Sequence, residues 1–335
     1  MKLRIATRRS QLALTQTRWV AACIREHHPE VQIEEVRVET KGDRIQDRPL
    51  TAVGGKGLFV AEVEAVLVAG DADLAVHSLK DVPGDTDLAE GFDIVCVPPR
   101  EDPRDLLLTG DGSELDALEA GTRVGTTSLR RVCQLRARRP DLAYATLRGN
   151  VDTRLRKLDE GQYGAIVLAA AGLRRLGLLS GRPHWPIPPE VCLPAVGQGT
   201  LAIEGRADDA RLRHLLAPLE HPPSRIVTEA ERTMLRRLQG SCRVPIGGHA
   251  RRSRDDQRLS LEGLVGSLDG DQMLQAGSER YLTGRRHEDH VAAARELGDE
   301  VAEQLIGRGA RRLMREAEAA VMRSERHGNG GGKWS

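Results

Sequence analysis

The sequence predicts an α/β protein of two lobes followed by a small α+β domain, and three observations carry that reading. Over the first hundred residues, strand-like and helix-like stretches alternate. The same alternation restarts after EDPRD at 101–105. From about residue 218 it gives way to a hairpin signal and one long amphipathic helix. A chain of 335 residues suits two or three cores rather than one.

In chain order, KLRIAT reads as a strand. A helix capped by Ser10 follows, then the strand VQIEEVRVET. LFVAEVEAVLVAG has helical apolar spacing and a stop at Gly70, and ADLAVHSL and FDIVCVP are the next strands. In the second lobe RVGTT is a strand and turn, SLRRVCQLRARRP a helix, and YATLRG a strand and turn. VDTRLRKLDEG is a helix closed by Gly161, and YGAIVLAAAG is a buried strand. The alternation predicts mostly parallel sheets. LPAVGQGTLAIEGR returns to the first lobe, and this second crossing makes a hinge. The expected units are 1–99 plus 193–217, then 100–192, then 218–312, with 313–335 as an extension whose Gly-rich end is disordered. In the third unit LSLEGLVGSL and QMLQAGSERYL flank Asp269-Gly270, and a helix begins near Glu288.

Composition narrows the function. Fifty basic residues against 49 acidic leave a net charge of +1, so any anion site is local rather than a general polyanion surface. Aromatics at 2% argue against stacking platforms for single-stranded nucleic acid. The longest apolar run, at 165–173, is too short to span a bilayer. The acid-free, arginine-bearing start could suggest a transit peptide, but its strand and capped helix make it part of the fold. Five widely spaced cysteines without a C-x-x-C indicate neither a disulfide framework nor a zinc site, and fit a reducing cytoplasm. His287 and His290 lack a third ligand type and read as a solvated helix face.

The chemistry gathers where strands end, which is where open α/β sheets bind ligands. Arg8, Arg9 and Ser10 follow the first strand, and Lys80 and Asp81 follow LAVHSL. Thr126, Thr127, Ser128, Arg130 and Arg131 follow RVG, Arg148 and Gly149 follow YATL, and Arg174 and Arg175 follow AIVLAAAGL. Hydroxyls and free N–H groups at a helix start cradle an anion. Two arginines there oppose the helix dipole unless an anion binds. One such pair would be an ordinary solvated face; five basic clusters at strand ends indicate a carboxylate or phosphate site. VGGKGLF is either a lid carrying Lys56 or a plain connector, and it lacks phosphate-loop spacing. Cys242, in GSCRVPIGG, is either an inert thiol or an accessible one whose thiolate Arg243 favours.

Together RIATRRS, TKGD, VGGKGLF, VHSLKDVP, EDPRD, GTTSLRR, LRGNVDTR, AAAGLRRLG, LPAVGQG and GSCRVPIGG resemble the porphobilinogen deaminase (hydroxymethylbilane synthase) family, in order, from residue 3 to about 312. The resemblance implies two hinged, periplasmic-binding-protein-like lobes and a third domain. It implies a cytoplasmic, monomeric transferase of porphyrin and haem biosynthesis that joins four porphobilinogen units into linear hydroxymethylbilane. The chain would grow on a dipyrromethane cofactor held by a thioether to Cys242. Carried over by position, Asp81 is the catalytic carboxylate. Ser78, Lys80, Thr126, Ser128, Arg130, Arg131, Arg148 and Gly149 hold the cofactor, and Arg8, Ser10, Arg154, Arg175 and the lid residue Lys56 hold substrate. Thr127 stands where a serine is frequent, and Ser241 precedes the cysteine where glycine is also common.

That reading gives LAVHSLKDVP its logic. Arginine pairs carboxylates bidentately, which suits a substrate with two of them. One carboxylate among many cations is what a developing positive charge on a pyrrole requires. Pro83 biases Val82 to an extended conformation, which sets the exit of the turn carrying Asp81. The rivals are a two-lobed binding protein for small carboxylates, which needs no Cys242 adduct, and a nucleic-acid-binding module.

Overall fold

The computed structural model describes residues 2–40, 60–84, 88–240 and 244–326. Lys56, Cys242 and the Gly-rich residues after 326 lie outside the described residues.

The first lobe starts with β1 (Lys2–Arg8), α1 (Gln11–His27) and β2 (Gln32–Val38), with β2 parallel to β1. Ser10 caps α1 as expected, its hydroxyl accepting from Ala13 N at 3.3 Å. Val20, Ala21 and Ile24 of α1 are buried against Leu3 and Ile5 of β1. Val20, Ile24, Leu3 and Ile5 each contribute about 1.5–3 kcal/mol by leaving water, and Ala21 less. α2 (Ala61–Val68), β3 (Leu74–Ser78) and β4 (Phe92–Cys96) follow.

The second lobe comprises β5 (Asp105–Thr109), β6 (Arg123–Gly125), α3 (Leu129–Arg138), β7 (Ala143–Ala145), α4 (Val151–Asp159), β8 (Ala165–Ala169), α5 (Ala170–Arg175) and β9 (Trp185–Ile187). The chain then crosses back and adds β10 (Leu201–Arg206) to the first sheet, whose order is β2-β1-β3-β10-β4. The second sheet has the order β7-β6-β8-β5-β9. Two crossings between two α/β lobes are the architecture expected.

The mostly parallel sheets are corrected. β10 runs antiparallel to β3 and β4, and β5 runs antiparallel to β8 and β9. A strand arriving from the other lobe has no crossover helix to dictate its direction. The buried strand expected over 163–172 is also shorter. It ends at Ala169, and α5 takes over at Ala170.

After α6 (Ala210–Leu216), α7 (Pro222–Leu238) leads into the third domain. β11 (Ile246–Arg252), β12 (Arg258–Gly266) and β13 (Met273–Tyr281) form an antiparallel sheet, with Asp269-Gly270 turning between the last two. α8 (His287–Gly307) and α9 (Ala310–Arg326) cover it. Leu313, Met314 and Ala317 of α9 belong to the same core as Leu259, Val265 and Leu305. The break expected after 312 therefore falls inside a packed helix.

The connecting segments are tied to α7. The Arg100 guanidinium pairs with the fully buried Glu231 carboxylate at 2.7 Å and donates to Gln198 O at 2.9 Å. Glu231 also accepts from Gly197 N and Ala250 N. One carboxylate thus joins both crossings to the third domain. No helix among the described residues is long and apolar enough to cross a membrane.

Candidate functional site: a cationic cleft between the lobes

The ends of β1, β3 and β8 and the starts of α1 and α4 converge on a cleft of about 330 Å³. It gathers Arg8, Ser10, Ser78, Lys80, Asp81, Arg131, Arg148, Gly149, Arg154 and Arg175, all of them residues expected at the site. Thr126, Ser128 and Arg130 sit behind that wall rather than in it. Gln16, Thr127 and Asp152 are added to it.

Asp81 ends a single helical turn over Leu79–Asp81. Buried Leu79 anchors that turn, its N–H donating to Thr200 O at 2.9 Å. Val82 follows in extended conformation (φ −77°, ψ 121°), as a residue before proline should. The Asp81 carboxylate makes no hydrogen bond or ion pair among the described residues. Beside it, Lys80 donates to Gln198 Oε1 at 3.4 Å. Burial pulls the Lys80 pKa down to about 8, Asp81 opposing and Arg131 assisting. Gln16 donates to the Ser78 hydroxyl at 3.1 Å, which joins α1 to the end of β3.

The second-lobe wall holds two kinds of arginine. Arg130 and Arg131 each reach Asp105 at 2.7 Å and are almost wholly buried. Burial would raise the Asp105 pKa, but the two guanidiniums hold it well below the usual carboxylate range. Gln198 Nε2 donates to the same carboxylate at 2.9 Å. Arg154 and Arg175 are held differently. Arg154 donates to Gly149 O and Arg175 to Gly199 O, each at 2.7 Å, and neither forms an ion pair among the described residues. Burial, with Arg131 and Arg148 nearby, pulls the Arg154 pKa down to about 10. Burial does the same for Arg175 against the opposing charge of Glu101. Gly149 takes φ +108°, and a Cβ there would stand 2.7 Å from Thr153 Cγ2, so no other residue fits this turn.

The anion cradle expected at the start of α3 is therefore largely spent inside the protein. Thr126 Oγ1 accepts from Ser128 N, and Asp105 answers the two arginines. Sequence reasoning missed Asp105, because EDPRD reads as a loop. The signal was there in SLRRVCQL, where Arg130 and Arg131 sit among Leu129, Val132, Cys133 and Leu135, so that burying this turn demands a counter-charge.

Two lobes enclosing a cleft in which five arginines and Lys80 outnumber the carboxylates Asp81 and Asp152 fit the class of proteins that bind an anionic ligand. Known proteins narrow that class. The family model described as "Porphobilinogen deaminase, dipyromethane cofactor binding domain" matches residues 3–214, and "Porphobilinogen deaminase, C-terminal domain" matches 226–307. A porphobilinogen deaminase of Nitratidesulfovibrio vulgaris is 51% identical over 94% of this chain and 96% of its own length. One of Syntrophobacter fumaroxidans is 48% identical over 94% and 97%. The chain belongs to the porphobilinogen deaminase family. Among solved structures, the periplasmic aliphatic sulphonate binding protein SsuA of Escherichia coli is similar at 13% identity over 70% of each chain, with a TM-score of 0.40. The Bordetella pertussis BvgS VFT2 domain is similar at 16% identity, covering 65% of this chain and 86% of that one, with a TM-score of 0.38.

Proposed function

We propose that the protein is a hydroxymethylbilane synthase, a transferase that joins four porphobilinogen molecules head to tail in porphyrin and haem biosynthesis. The observation that carries this reading is the Asp81 carboxylate, unpartnered among the described residues, beside Lys80 in a cleft that also gathers Arg8, Arg131, Arg148, Arg154 and Arg175. In each condensation the aminomethyl C–N bond of one porphobilinogen breaks and ammonia leaves. A bond then forms from that methylene carbon to the free α-carbon of the next pyrrole, which gives up its proton. Positive charge develops on the pyrrole nitrogen along the way. Asp81 accepts the pyrrole N–H, stabilises that charge and assists proton removal. Arg8, Ser10, Arg154 and Arg175, with Lys56, bind the substrate's acetate and propionate.

The residues present fit a dipyrromethane. Arg154 and Arg175 reserve charge for carboxylates that the chain itself does not supply. Ser78, Lys80, Thr126, Ser128, Arg130, Arg131, Arg148 and Gly149 would hold it, Thr126, Ser128 and Arg130 by supporting the wall, and Cys242 would carry the thioether. When bound, this group supplies the pyrrole α-carbon to which the first substrate unit is joined. The protein acts as a monomer in a reducing cytoplasm. In support of the compartment, Cys23, Cys96, Cys133 and Cys192 are free thiols.

Intact mass should exceed the sequence mass by one dipyrromethane, and Cys242→Ala should remove the excess. Cofactor-loaded Asp81→Asn should bind substrate but turn over about a hundredfold slower or worse. Near-wild-type turnover by that loaded variant, or an active protein of unmodified mass, would overturn the reading.

A further inference from the structure

We infer that α7 acts as a spacer that fixes the separation between the Asp81 turn and Gly240, the last described residue before Cys242, with Arg232 and Leu235 as its positioning residues; this rests on the function proposed above. Arg232 donates to Val82 O and Pro83 O, each at 3.3 Å, the carbonyls immediately after Asp81. It forms no ion pair among the described residues. Burial pulls its pKa down to about 10 against the charges of Glu229 and Asp93. A desolvated guanidinium spent on two carbonyls is a poor choice for stability alone, where an apolar side chain would do better.

One turn further along, Leu235 lies between two glycines. A Cβ on Gly84 would stand 2.4 Å from Leu235 Cδ2, and a Cβ on Gly240 would stand 2.6 Å from Leu235 Cδ1. Gly84 follows the Asp81 turn, and Gly240 precedes Cys242 by two residues. The same side chain therefore packs on Gly84 and, alongside Ile246, on Gly240. The helix is itself bolted down. Arg225 donates to Ile94 O of β4 at 3.0 Å, and Glu231 accepts from Gly197 N at 2.7 Å. Its end is set by Gln239 in left-handed conformation and by Gly240 N donating to Leu235 O at 3.1 Å. From Arg232 to Leu238 the axis advances about 9 Å, a length no side-chain motion changes.

A device that sets the aim of Asp81 relative to a tethered chain should act on turnover more than on substrate affinity. The test uses holoenzyme whose adduct is verified by mass, with steady-state porphobilinogen consumption as readout. Loaded Arg232→Gln should lose kcat about tenfold or more with KM within about twofold, since misplacement by an ångström has costs of that size. Arg232→Lys, which keeps one donor, should recover part of the loss. Gly84→Ala should reproduce the kcat loss, because Leu235, packed on the third-domain core, must move away; its unfolding midpoint should fall as overpacking requires, so it is assayed well below that midpoint. The exposed Arg237→Gln on the same helix, whose partner is Glu303, should behave as wild type. If Arg232→Gln purifies without its adduct, Gly84→Ala decides. Unchanged kcat in loaded Gly84→Ala, or a loss carried by KM in either variant, overturns the spacer. An unmodified wild-type enzyme overturns the functional reading instead.

Discussion

Two pairs of arginines in the second lobe sit in the same low-dielectric surroundings yet are handled in opposite ways. Arg130 and Arg131 come with a counter-charge, Asp105, placed between them. Among the described residues, Arg154 and Arg175 form no ion pair and are held by carbonyl dipoles, Gly149 O and Gly199 O. A carbonyl orients a guanidinium without neutralising it. Cations that serve the fold are thus closed by the protein, while cations that serve a ligand are aimed and left charged. The first pair is not fully closed either, because one carboxylate answers two guanidiniums. The surplus charge lies where Arg131 lines the cleft.

The largest expected effect would break the first pair. Asp105→Asn leaves two buried guanidiniums uncompensated and should cost about 3–5 kcal/mol of unfolding free energy in urea titration. The depressed folded-state pKa of Asp105 makes its contribution fully present above about pH 4, and it is lost as pH falls towards that folded value. A loss under about 1 kcal/mol would show that the pairing is ornamental. The second pair should behave the other way round. Arg175→Leu should leave the urea midpoint nearly unchanged while raising KM about tenfold to a hundredfold, the range for a lost charge-assisted hydrogen bond. Equal stability losses at Arg175 and Asp105 would erase the distinction.

The smallest effect sharpens the comparison at Lys80, a further cation, whose charge burial makes easier to lose. Its pKa of about 8 means that the ammonium deprotonates as pH passes from 7 to 9. KM should therefore rise about threefold to tenfold over that interval, and Lys80→Arg should flatten the rise. The sign for folding is opposite. The unfolded chain binds the extra proton between about pH 8 and 10, so this group adds stability as pH climbs through that window. A flat KM profile in the wild type would remove Lys80 from the set of ligand-binding cations.

Much of this was legible because the residues that make the site also make local signals. Ser10 caps a helix, Pro83 extends Val82, and Asp269-Gly270 turns a hairpin, and each can be read within four residues. What was not legible depends on partners distant in sequence. Asp105 starts a strand and neutralises residues 25 and 26 positions away, which a loop-like EDPRD cannot announce. The switch at Ala169 lies inside an uninterrupted apolar run, where a buried strand and a buried helix share one pattern. Strand direction in β5 and β10 is set by the route of the chain between lobes, and no local period encodes it. α9 went unrecognised as core because its apolar stripe matters only beside Leu305 and Val265.

The place of β10 between β3 and β4 has a consequence on the ribosome. The second lobe is one continuous stretch and is complete as soon as β9 emerges, whereas the first lobe waits for a strand made after it. At 5–20 residues per second, the hundred or so residues separating β4 from β10 take roughly 5–20 s to synthesise. For that interval β3 and β4 present open main-chain edges without the partner that later separates them. The lobe made first is therefore completed after the lobe made second, and the nascent chain exposes the edges of β3 and β4 while its second lobe is already complete.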